Sequence, residues 1–172
     1  MNRIKSLMPQ MATSEGVWEG TYIYTDVEGK ELDRHRSRLT HQFPTDLPEE
    51  YHQRNQYEWD DGRTEDFAFH FKLDEEAAKV GVTQLAWHTE RSHGYVWEEP
   101  KRLGDLATVR VSWHRSEVEG YTPYDVPYAT LHELIQQTLD GSMRSRVWQW
   151  YVDADLVGRT IIKEKRVSQT IS

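Results

Sequence analysis

From Gly16 onward, large apolar side chains recur at every second position, the spacing that turns one face of a β-strand inward and the other toward water. Trp18, Tyr22 and Tyr24 alternate with Glu19, Thr21 and Ile23, and Asp26-Val27-Glu28-Gly29 then reads as a turn. Glu31 to Phe43 predicts a long second strand. Tyr51 to Trp59 predicts a third, ending at the hairpin signal Asp60-Asp61-Gly62. Phe67, Phe69 and Phe71 put three rings on one face of the fourth, and Asp74 to Lys79 fits one helical turn. Further strands are predicted over Val80 to Thr89, Gly94 to Glu98, Ala107 to Arg115, Ser145 to Asp153 and Leu156 to Val167. The last two join tightly around Val152-Asp153-Ala154-Asp155.

Two stretches depart from this period. Ile4, Leu7, Met8 and Met11 fall at helical spacing, and Pro9 limits the helix to a turn or two, so this segment reads as a short cover for one end of the fold. Thr130-Leu131-His132-Glu133 matches a capping box, and Leu131, Leu134, Ile135 and Leu139 fit a helix. The strand at Ser145 needs an antiparallel neighbour, however, which favours a strand over 130–140 with a turn at Asp140-Gly141. No repeat or linker divides the chain. It reads as one all-β domain over residues 1–172, with an N-terminal segment 1–14 and a barrel over 15–168. Short turns between successive strands imply an antiparallel up-and-down barrel of about 8–10 strands, because closure removes exposed edges. An open, strongly curved sheet is the competing architecture.

Gly16-Val17-Trp18 on the first strand, behind a short helical segment, resembles the G-x-W signature of lipocalins and other calycins. The resemblance implies a calycin/lipocalin-like barrel with a ligand cavity. It also implies that Trp18 packs across the closed end against an Arg from a late strand, a role open to Arg159 or Arg146. Relatives of that broad group include fatty-acid carriers, haem-binding nitrobindins, phycobilin lyases and phenolic-acid decarboxylases, so the resemblance sets architecture and leaves function open.

Alternation assigns each face once one residue is placed. Trp18 inward brings Tyr22 and Tyr24 with it. On the second strand Arg34, Arg36 and Arg38 share one face, and His35, Ser37, Leu39, His41 and Phe43 share the other. Three guanidinium groups in a closed cavity are costly without anions, which puts the Arg row outside; the opposite arrangement would describe a cavity for a carboxylate or phosphate. Tyr51, Gln53, Asn55, Tyr57 and Trp59 then face inward, as do the three Phe rings, Leu85, Trp87, Trp97, Val109, Val111, Trp113, Trp148 and Trp150.

Composition narrows the function. Aromatic residues are 12% of the chain, with 7 Trp and 9 Tyr, against 37% apolar residues overall. That balance suits a thin-walled barrel filled by a few large rings. A formal net charge of -8 disfavours nucleic acid as a partner. Cysteine is absent, which excludes thiolate chemistry and disulfides. No apolar run reaches the length of a membrane span, and the first residues lack the features of a signal peptide, so a cytoplasmic location is expected.

Several motifs are missing: no G-x-S-x-G elbow, phosphate-cradling loop, dinucleotide fingerprint or H-E-x-x-H helix occurs. His88-Thr89-Glu90 has the spacing for a metal or an acid/base pair, but an inward Trp87 puts both in water. By analogy with nitrobindin-like barrels, haem ligation by one of the 8 His stays open, although no local motif marks an axial ligand. The reading calls for no metal and no cofactor.

Three functions fit. The leading one is binding of a small aromatic or lipidic molecule by Tyr22, Asn55, Tyr57, Trp59, Phe69, Trp87, Trp97, Trp113, Arg146 and Trp148, with His35 adding polarity. Arg146 would anchor a ligand carboxylate or, by preference, pair with an acidic side chain on the next strand. The second is a cofactor-independent lyase or isomerase acting on an aromatic or polyketide-like substrate. His35 or His41 would be its base, and Tyr57 would donate to the developing anion. The third is a filled barrel that works through its outer surface, as an interaction module and homodimer.

Overall fold

A computed structural model describes residues 2–102, 104–116, 122–124 and 126–170. The chain opens with two short helices, α1 (Arg3–Leu7) and α2 (Pro9–Ala12). Ten strands follow: β1 (Gly16–Thr25), β2 (Glu31–Gln42), β3 (Glu50–Glu58), β4 (Thr64–Leu73), β5 (Leu85–His88), β6 (Ser92–Glu98), β7 (Leu106–Arg115), β8 (Ala129–Thr138), β9 (Met143–Val152) and β10 (Asp155–Ser168). A single-turn helix, α3 (Glu75–Lys79), sits between β4 and β5 and is N-capped by the Asp74 carboxylate. Each strand pairs antiparallel with its sequence neighbours, and β1 pairs with β10, so the sheet closes into a barrel. No described helix is long and apolar enough to cross a membrane.

The two ambiguous segments resolve as the pairing argument requires. Residues 129–138 are strand, because β9 needs a partner on that side and finds it across the turn at Asp140-Gly141. The helical spacing in residues 3–12 does produce helix. Its apolar face, Ile4, Met8 and Met11, packs on Phe43, Tyr51 and Phe71 and closes one end of the barrel. Gln10 fastens this cover: its Nε2 donates to the Glu99 carbonyl, and its Oε1 accepts from Thr108 N at 2.9 Å. The strand expected from Val80 is shorter than its pattern suggested and begins at Leu85.

Gly16 adopts φ 120°, and a Cβ there would collide with the Ser168 carbonyl, so the first position of the G-x-W motif requires glycine. Trp18 is fully buried and donates from Nε1 to the Ser14 carbonyl at 2.8 Å. Two arginines lie over its ring, Arg144 at 4.4 Å and Arg166 at 4.9 Å. The expectation of a tryptophan clasped by a late-strand arginine therefore holds in kind, with different residues. Arg159 instead reaches the Val27 carbonyl at 3.2 Å, and Arg146 is engaged inside the barrel.

Candidate functional site

The inner faces enclose a cavity of about 520 Å³. One side is apolar: Phe67, Phe69 and Phe71 from β4, Trp87 from β5, Val96 from β6, and Val111 and Trp113 from β7. The opposite wall is polar, built by β3, β8 and β9 with His41 of β2. The cavity reaches the surface where β4 and β5 part. These strands pair only at Lys72↔Ala86 and Leu73↔Leu85, and the outward-facing Asp66 and Ala68 join the Thr89–Ser92 turn in the lining.

The polar wall is a continuous chain of hydrogen bonds. Glu164 accepts from Arg144 Nε, and Arg144 Nη2 lies 2.8 Å from His41 Nε2. A guanidinium can only donate, so Nε2 of His41 is the acceptor and Nδ1 carries the proton that goes to the Tyr51 hydroxyl. Tyr51 in turn donates to Gln53 Oε1 at 2.9 Å, Gln53 Nε2 to Asn55 Oδ1 at 2.7 Å, and Asn55 Nδ2 to the Tyr57 oxygen at 3.0 Å. These four residues are successive inward positions of β3, which is why a single strand can carry the relay. From the other side, Arg146 Nη1 donates to the Tyr22 hydroxyl at 2.8 Å, and the Tyr22 ring packs on Tyr57 with centroids 5.1 Å apart. Arg146 joins the same chain at Glu164 Oε1, 3.4 Å away, and also donates to Glu133. Gly20, paired with Glu164 across β1 and β10, leaves the space its side chain fills.

Glu133, Arg144, Arg146 and Glu164 are each at most 6% exposed. Two cations and two anions leave this buried cluster neutral. Burial works against the charged form of Glu164, yet Arg144 and Arg146 outweigh it and hold the carboxyl below its ordinary range. Burial likewise opposes the charge on Arg146, and Glu133, Tyr22 and Glu164 outweigh it, keeping the guanidinium protonated far above neutral pH. Burial and the facing arginines push His41 well below an ordinary imidazole. Burial lifts Tyr57 to about 12, so its hydroxyl stays protonated. At the opening, Arg115 faces the Glu65 carboxylate and lies 5.6 Å from the Trp150 ring.

Of the residues expected at the site, His41, Asn55, Tyr57, Phe69, Trp87, Trp113, Arg146 and Trp148 line the cavity. Tyr22, His35 and Trp59 do not; they form a layer behind Tyr57. The His35 ring sits 4.7 Å from Tyr22, 4.4 Å from Tyr57 and 4.4 Å from Trp59, and Trp59 donates to Asp33 at 2.9 Å. Trp97 is misplaced by the sequence reading: Gly94 and Val96 fix the inward parity of β6, which turns Trp97 to the outer face. Arg146 takes the preferred role of ion pairing, with Glu133 on β8 and Glu164 on β10. Arg34, Arg36 and Arg38 lie outside, in pairs with Glu31, Glu58 and Glu19. Tyr51, Gln53, Glu133 and Arg144 also line the cavity. Strand parity places each of them, since Glu133 shares a face with Leu131 and Ile135, and Arg144 with Arg146 and Trp148.

The two inward-facing histidines, His35 and His41, are both engaged in the barrel wall. Six of the eight histidines sit on outward-facing positions, and His35 bonds the Tyr24 hydroxyl at 3.1 Å and the Arg36 carbonyl at 3.0 Å. His41 also has both nitrogens occupied. His88 faces outward beside His93, with ring centroids 5.8 Å apart, and Glu90 lies in the following turn, so they form no paired site.

No family model and no curated protein matches the chain. Among solved structures, Rv2717c from M. tuberculosis superimposes with a TM-score of 0.62 at 12% identity, covering 96% of this chain and 98% of that one. A protein of unknown function from the DUF3598 family of Nostoc punctiforme PCC 73102 aligns over 92% of this chain and 98% of its own, at 11% identity and a TM-score of 0.26. The first likeness is one of fold, to a protein of very different sequence.

Proposed function

We propose that the barrel binds one small, neutral, largely apolar molecule, aromatic or lipidic, with a hydrogen-bond acceptor at the end that meets the polar wall. The charge balance of the interior carries this reading. Arg144 and Arg146 are already matched by Glu164 and Glu133, so a ligand carboxylate would find no uncompensated cation in the depth of the cavity. It would bring a buried charge whose desolvation costs several kcal/mol. Tyr57 supplies the complementary donor. Its oxygen accepts from Asn55, and its own hydroxyl proton can turn toward the ligand. The catalytic alternative draws no support from His35 or His41, whose ring nitrogens are all hydrogen-bonded.

The test is a tryptophan-fluorescence titration with a small aromatic carboxylic acid and its methyl ester, since Trp87, Trp113 and Trp148 line the cavity. The ester should bind at least about tenfold more tightly, the equivalent of 1.4 kcal/mol. Val111→Phe, which fills the cavity, should abolish binding. Tighter binding of the acid would refute neutrality, and unchanged binding in the Val111 variant would remove the cavity as the site.

A further inference from the structure

A second cluster stands on the outer face of the same wall. His52 and His70 are register partners on β3 and β4, with rings stacked at 4.1 Å and 15° apart. Glu50, two positions before His52, shares their face, and its Oε2 accepts from His52 Nε2 at 2.8 Å. One ligand atom from each of the three lies within 4.8 Å of the other two. Among the described residues, no other group of His, Asp or Glu brings three ligand atoms so close.

We propose that Glu50, His52 and His70 bind a divalent cation of the zinc type and so bridge β3 to β4. Two imidazoles and a carboxylate form a mixed N/O set that suits zinc, whose bonds to nitrogen and oxygen run about 2.0–2.2 Å, with a water as the fourth ligand. The cation takes the place of the His52 Nε2–Glu50 Oε2 hydrogen bond, and the neutral imidazole binds it through one ring nitrogen while the other keeps its proton. Glu50 Oε1 also meets Lys72 Nζ at 3.1 Å, but that ammonium is well exposed and the pair is weak, so zinc displaces it readily. Glu50 and His52 side chains are only 17% and 24% exposed, which restricts their rotamers and lowers the entropy lost on coordination. His70 also sits between Phe69 and Phe71, whose rings face the cavity, so the cation grips the strand that borders the opening.

Calorimetric titration of the whole protein with zinc chloride alone tests this, with circular dichroism confirming that each variant remains folded. One zinc should bind per chain, and His52→Ala, His70→Ala and Glu50→Gln should each weaken it by at least about tenfold. His93→Ala, in the other cluster of surface histidines, should change nothing, and Lys72→Met should tighten binding by freeing Glu50. Absence of a one-to-one zinc site would overturn the proposal. So would affinity that survives loss of His52 or His70, or that depends on His93. Wild-type affinity in Glu50→Gln would overturn the three-ligand site.

Discussion

Arg144 donates to Nε2 of His41 across 2.8 Å, so this buried histidine is held neutral by a cation that has no other way to face it. Arg146 and Arg166 add to the same field. His35 is neutral too: burial brings it down to about 4. An unfolded histidine takes its proton near 6.5. Between those two values the unfolded chain binds protons that the barrel refuses, so stability is complete above pH 6.5 and falls as the pH drops toward 4. The linkage for His35 alone is about 2 kcal/mol at pH 5. Urea unfolding at pH 7.5 and pH 5 should show at least that loss. Glutamine can accept and donate where each ring nitrogen does, so His35→Gln combined with His41→Gln should flatten the slope. A slope that persists would assign the effect to other groups.

The neutral cluster predicts an asymmetry between single and paired substitutions. Glu164→Gln leaves Arg144 and Arg146 facing only one carboxylate inside the barrel. Breaking a buried pair in this way typically costs about 3–5 kcal/mol. Replacing Arg144 with Met and Glu164 with Leu together removes one charge of each sign, and most of the lost stability should return. The comparison is made by denaturant unfolding at pH 7.5. In the singly substituted protein the affinity order of acid and ester should also move toward the acid, because an uncompensated arginine then faces the cavity.

Much of this site is legible in the alternation, and the errors have a common cause. The inward rows of β3 and β4 follow from Tyr57 and the three Phe rings, and the outward Arg34, Arg36 and Arg38 from the cost of burying them. Trp97 is the opposite case. Its size suggests the interior, but Gly94 and Val96 hold the inward positions, so parity overrides side-chain type. Glu133 and Glu164 escape the sequence for a different reason. Each shares a face with inward apolar residues, yet a lone glutamate there reads as solvated. Only the ladder, which sets Ile135 and Ile162 opposite Arg146 and Glu164 opposite Arg144, brings the countercharges together. That adjacency is a property of strand order, which alternation along a single strand does not encode.

The β9–β10 turn offers a stabilising change. Val152 pairs with Asp155, leaving a two-residue loop in which Asp153 has φ 49° and Ala154 φ 72°. This is the backbone of a primed hairpin turn, whose second position favours glycine. Alanine there lacks both the freedom of glycine and the side-chain hydrogen bonding that lets Asp tolerate φ > 0. Ala154→Gly should raise stability by about 0.5–1 kcal/mol, read as a higher midpoint of thermal unfolding. An unchanged or lower midpoint would mean that the entropy glycine adds to the unfolded chain offsets the strain it relieves.

The parting of β4 and β5 predicts where the barrel opens. β4 runs over ten residues and pairs with β3 from Thr64 to Lys72, but its other edge meets β5 only at Lys72 and Leu73. In an antiparallel strand, amides alternate between the two edges, so those of residues 64–71 that point away from β3 lack the ladder that protects their neighbours. Amide exchange followed by NMR should therefore be alternately fast and slow along β4, while β1, paired on both sides along most of its length, stays uniformly slow. Exchange at an exposed edge reports local solvation, whereas entry of a ligand needs Phe67 and Phe69 to yield. The two are separable, because a bound ligand should protect the open edge amides and leave β1 unchanged. If those amides are slow without ligand, the gap is covered in solution and the cavity must fill by another route.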